Sequence, residues 1–179
     1  MNAIFDPILS SVPLAVGATT IFVNLLLGVV VFINNPKSAT SRFFGLLVLT
    51  FVFWEAGNLL GTIRPSLPEK LIWIRLVMFF AVWQVYFLYL FITVFPKHDF
   101  ANVKFHKVFS ICITVITAIL TLTPLVFEGI KTVDTSGIPT PITGFGIVVF
   151  GMTIFYLIIL SIHDLYRRFK ESKGIETFI

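Results

Sequence analysis

The chain has 179 residues, 57% of them hydrophobic and 12% charged, with a formal net charge of +4 and a mean hydropathy of +0.98. Water-soluble domains carry about a quarter charged residues, so this composition argues against a soluble globular enzyme. The basic excess lies in short connections between apolar stretches, which suits anionic lipid headgroups and gives no reason to expect a nucleic-acid partner. The single Cys112 rules out an intramolecular disulfide and a cysteine-built metal centre.

Residues 1–10, MNAIFDPILS, lack the basic start of a cleaved signal peptide and read as an extracytoplasmic lead-in. Five apolar stretches follow, at about 11–33, 43–63, 71–95, 108–127 and 146–164, each near the ~20 residues that cross a bilayer as a helix. The first is ended by Asn34, Asn35 and Pro36, since Pro36 cannot extend the hydrogen-bond ladder. RPSLPEK at 64–70 predicts a tight turn that makes the second and third spans antiparallel neighbours. Pro96 closes the third span, and Pro124 predicts a kink or early stop in the fourth. The stretch 128–146 is rich in Gly, Pro and Thr and predicts an outer loop, and 165–179 a basic juxtamembrane segment.

Nine of the 13 Lys and Arg residues fall in alternate connections, at 34–42, 96–107 and 165–179. Basic residues accumulate on the cytoplasmic side, which places the N-terminus outside and the C-terminus in the cytoplasm. The expected fold is an all-α polytopic membrane bundle of five transmembrane helices spanning 11–164.

Ionisable residues inside a span are costly and point to function. Glu55 lies about two turns below the outer end of the second span, with Asn58 and Thr62 on the same helix face. Arg75 lies about one turn into the third. A Glu55–Arg75 pair is within reach across the turn and is the candidate floor of an outward-facing sensing site. The plainer reading has Arg75 snorkelling to headgroups and Glu55 bonded within the bundle. Arg75, Tyr86 and Thr93 return to nearly one angle on the third helix, with Tyr89 about 60° away. Tyr86 and Tyr89 are therefore candidates for lining a site for a small or lipophilic ligand, against the alternative of tyrosines that pack and hydrogen-bond between helices.

Ser110, Thr114, Thr117 and Thr121 share one face of the fourth span and read as a helix-packing seam, since small residues let helices approach closely. His163 and Asp164, with Arg167 and Arg168, read as a charge cluster at the inner end of the fifth, and His98 and His106 as exposed loop residues. No metal site or cofactor is expected. No phosphate loop, HExxH or nucleophile set is present, so the chain is not expected to be an enzyme.

The order of several segments is informative: NNPKSATSRFF at 34–44, Trp54 midway along the next helix, LIWIRLVMFF at 71–80, YFLYLFITVFP at 86–96, and TPLVFEGI at 123–130 before a Gly/Pro-rich loop. In this order the chain resembles the N-terminal seven-helix membrane region of bacterial and archaeal sensor histidine kinases. The resemblance covers nearly the whole chain from about residue 11. It implies a sensory input module in the prokaryotic cytoplasmic membrane, part of a seven-helix region. It also implies the lipid bilayer and a cytoplasmic kinase or other output domain as partners, with a homodimer as a further expectation. The chain departs from the pattern in showing five spans, and it has neither a phosphoacceptor His in a His-Glu context nor an ATP-binding Gly-rich box. It reads as a truncated sensor or a short stand-alone relative. Two other readings stand beside it: a transport or channel subunit lined by Glu55, Tyr86 and Thr93, and a helical partner that completes another protein's bundle.

Overall fold

A backbone in hydrocarbon must satisfy its own N–H and C=O groups, which leaves the helix as the default for each apolar run. A computed structural model describes residues 5–63, 66–95, 104–132 and 139–176. The elements in chain order are α1 (Phe5–Asn34), α2 (Ala39–Ile63), α3 (Leu67–Val94), α4 (Lys104–Thr121), β1 (Phe127–Thr132), β2 (Pro139–Thr143) and α5 (Gly146–Glu176). By length and composition, α1, α2, α3 and α5 can each cross a membrane. Arg64, Pro65, Pro96, Lys97 and His98 lie outside the described residues.

Helix α4 differs from the expected fourth span. It has 18 residues, about 27 Å at ~1.5 Å per residue, and it stops at Thr121 where the apolar run continues to 127. The reason is local. The amides of Leu122 and Thr123 bond three residues back, to the carbonyls of Ile119 and Leu120, and the hydroxyls of Thr121 and Thr123 also cap carbonyls three residues earlier. Such tightening closes a helix, and Pro124 offers no N–H to continue it.

The expected outer loop contains a β-hairpin. β1 and β2 pair antiparallel, from Phe127 opposite Thr143 to Thr132 opposite Pro139, with a register shift between Phe127 and Gly129. At the chain's two ends the helices run longer than the spans read from composition. α1 is already helical at Phe5 and carries Pro13 inside it. α5 has 31 residues and continues past 164 to Glu176.

Helix α3 is the hub, packed against α2, α4, α5 and β1. Its contact with α2 is set by two glycines. A Cβ on Gly57 would lie 2.9 Å from Val77 Cγ2, and one on Gly61 would lie 3.2 Å from Trp73 Cβ. A side chain at Gly57 would force Val77 to shift and one at Gly61 would press on Trp73, the close approach of the small-xxx-small pattern of membrane helices. Helix α1 lies against the other side of α2, with Gly28 at Val48 and Gly17 at Leu59. Helices α3 and α5 run parallel, and the buried core between them is Tyr86, Tyr89 and Leu157.

Candidate functional site

The polar residues of α3 form a column on the face turned away from α2. Arg75, at the hairpin end, donates from Nη2 to the backbone carbonyl of Phe127 at 2.6 Å. This carbonyl sits where the β1–β2 register shifts, and the guanidinium ties the hairpin to α3. Arg75 Nε is buried without a partner. Further along the column Tyr86 is 7% exposed and Tyr89 1%, so both rings are core. Trp83, Ile111, Tyr156 and Leu160 pack around them.

At the opposite end the column meets α5. The Thr93 hydroxyl lies 2.8 Å from the carbonyl of Tyr89 and 3.1 Å from Asp164 Oδ2. Asp164 Oδ1 is 3.7 Å from His163 Nδ1, with the His163 side chain largely exposed. One turn on, Arg168 reaches back to the end of α3. Its Nη1 donates to the carbonyl of Phe95 at 2.6 Å, and its Nη2 donates to the carbonyl of Thr93. The last carbonyls of a helix have no partner in the helix itself, and a cation there also complements the helix dipole. Arg168 fills both roles, with its Nε buried and unpartnered. The two arginines therefore anchor α3 at its two ends, one to β1 and one to α5.

Glu55 and Arg75 are not brought together: no ion pair joins these two described residues. Glu55 instead faces α1, where a Cβ on Gly17 would lie 3.3 Å from its Oε1. The cause is angular. Glu55 is two residues from Gly57, and Arg75 is two residues from both Trp73 and Val77, which is about 200° around a helix. Since Gly57, Trp73 and Val77 make the α2–α3 contact, both charged residues point away from it. Asn58 and Thr62 are exposed and bond back along α2, to the carbonyls of Trp54 at 3.0 Å and Asn58 at 2.9 Å.

A family model described as the N-terminal 7TM region of histidine kinase matches residues 16–177. The chain belongs to that family. No curated protein and no solved structure matches it. The 7TM region is the sensor part of such kinases and not their catalytic domain, and its apolar helices make this chain a multi-pass membrane protein. A lipid bilayer is its surroundings, and a kinase or other output domain belongs to the full histidine kinase of which such a region is part.

Within this 7TM-region chain, Ser110, Thr114, Thr117 and Thr121 are all fully buried on α4. Thr117 Oγ1 lies 2.8 Å from Thr153 Oγ1 of α5, while Ser110, Thr114 and Thr121 bond to carbonyls of their own helix. Among the described residues, no three His, Cys, Asp or Glu side chains cluster as metal ligands would. Two contacts escaped the sequence. The carbonyl of Phe127 has no side-chain signature. The two contacts of Thr93, its hydroxyl with Asp164 and its carbonyl with Arg168, were signalled only in halves, by Thr93 on the Arg75 stripe and by Asp164 and Arg168 in the charge cluster at the inner end of the fifth span.

Proposed function

We propose that this chain is the sensory input module of a two-component signalling protein in the prokaryotic cytoplasmic membrane, with the N-terminus outside and the C-terminus in the cytoplasm. Five crossings give that topology, with α4 as the shortest. An extracytoplasmic or membrane stimulus, including a small or lipophilic molecule, shifts the packing of α3 against its neighbours. The shift reaches the cytoplasmic side through α5 and acts on a kinase or other output domain, in a monomer or a homodimer.

The observation that carries this reading is that α3 is held by Arg75 to the hairpin and by Thr93 and Arg168 to α5. A switch needs an element with two arrangements that both sites bias, and α3 touches both ends. Arg75 senses displacement of the hairpin, Tyr86 and Tyr89 carry it through the core, and Glu55 with Asn58 tunes the α1-facing side of α2.

The test joins the chain to a histidine-kinase catalytic core in nanodiscs and measures autophosphorylation. Arg75→Gln should change activity about fivefold or more, the range of ordinary allosteric coupling, with insertion intact. Glu55→Gln should produce a smaller change. Activity that is indifferent to both Arg75→Gln and Arg168→Gln would remove the α3 column from the mechanism.

A further inference from the structure

A second feature lies at the far side of α2 from the column. Helices α1 and α2 touch closely at Gly28, where a Cβ would come within 2.9 Å of Val48 Cγ1. Toward the connection at 35–38 they leave a groove of about 800 Å³, inside the ~300–1,000 Å³ range of small-molecule sites. Its walls include Val29, Phe32, Leu46 and Leu49, and Lys37 and Arg42 lie at one end of it. Gly45 borders it with room to spare, since a Cβ there would meet only Phe32 Cδ2, at 3.9 Å.

Among the described residues that line this groove the charge is one-sided, Lys37 and Arg42 with no Asp or Glu. Lys37 and Arg42 are exposed, and the sequence holds no carboxylate between Asp6 and Glu55. Arg42 Nε donates to the carbonyl of Pro36 at 2.9 Å, which fixes the guanidinium beside Lys37's loop. The N-terminus of α2, starting at Ala39, adds its positive dipole end to the same place.

We propose that this groove holds an anionic phospholipid, with its phosphate between Lys37 and Arg42 and an acyl chain along Phe32, Leu46 and Leu49. Two cations with no ion-pair partner among the described residues, set at the end of an apolar trough between two spanning helices, match an amphiphile with a negative head. A zwitterionic lipid offers less to this mouth, and a free phosphate leaves the trough empty. The site is independent of the α3 column, so it stands or falls apart from the signalling role.

The test is native mass spectrometry of the purified chain, titrated with phosphatidylglycerol or phosphatidylcholine. Phosphatidylglycerol should be retained as one tight copy, at least about tenfold tighter than phosphatidylcholine, since each basic residue near the headgroup favours an anionic lipid. Lys37→Gln with Arg42→Gln should erase that preference, and the charge-keeping Lys37→Arg with Arg42→Lys should retain it. Gly45→Phe, which fills the trough while leaving both cations, should expel the retained lipid. Thermal unfolding of each variant verifies that it is folded. Equal retention of both lipids, retention unaffected by Gly45→Phe, full competition by glycerol phosphate, or occlusion of the groove by a second copy would each overturn the proposal.

Discussion

Thr93 of α3 and Asp164 of α5 lie 71 residues apart in sequence and meet across the bundle at 3.1 Å between hydroxyl and carboxylate. The threonine has one hydroxyl hydrogen and two acceptors within reach, Asp164 and the carbonyl of Tyr89. Thr93→Val takes this donor from Asp164, whereas removing the carboxylate leaves the hydroxyl the Tyr89 carbonyl. Thr93→Val and Asp164→Leu should each lower thermal stability, and the double variant should lose less than the sum, by about 0.5–3 kcal/mol, as neighbours in one network do. Strict additivity in nanodisc melting curves would mean that the contact is not formed.

Arg168 serves two carbonyls at the end of α3. Arg168→Gln should cost about 1.5–3 kcal/mol, the range for hydrogen bonds to a charged group. Arg168→Lys should recover only part, because a point charge cannot serve two fixed carbonyls as a planar fork does. Full rescue by lysine would assign the effect to charge alone.

Gly57 and Gly61 set how closely α2 and α3 pack. Gly57→Leu forces a side chain onto Val77 and should cost about 1–3 kcal/mol, the usual cost of overpacking. A Cβ at Gly151 would meet nothing within 4 Å, so Gly151→Ala on α5 should be neutral or slightly stabilising and serves as the control in the same melting assay.

The hydroxyls of Thr117 and Thr153 bond to each other between α4 and α5. Thr117→Val should cost about 0.6 kcal/mol, the average for hydrogen bonds between membrane helices. Adding Thr153→Val should cost little more, since both halves of the pair are then gone. A double-mutant cycle checks this, and a doubled loss would show that each hydroxyl acts alone.

Helices α1, α2, α3 and α5 were legible because runs of apolar residues this long have few other uses. The end of α4 was not. Leu125, Val126 and Phe127 continue the apolar run after Thr121, and hydrophobicity does not distinguish a helix from a strand over so few residues. The pairing of Glu55 with Arg75 failed for a different reason: position along the two helices left the pair within reach, but facing depends on which side of each helix packs. That side was written in Gly57 and Gly61, four apart, a spacing that marks a close helix contact. The Arg75 and Arg168 contacts were hidden because their acceptors are backbone carbonyls, which every residue has.

Helix α5 is unbroken from Gly146 to Glu176, about 46 Å of rod at ~1.5 Å per residue. Such a shaft has a phase. One residue inserted between Tyr166 and Arg167 would advance everything beyond it by about 100° and ~1.5 Å, swinging Arg168 off both carbonyls while leaving Asp164 beside Thr93. Seven inserted residues would nearly restore the angle and not the height. Torque and thrust along α5 can therefore be dialled separately, by counting residues rather than by changing any side chain.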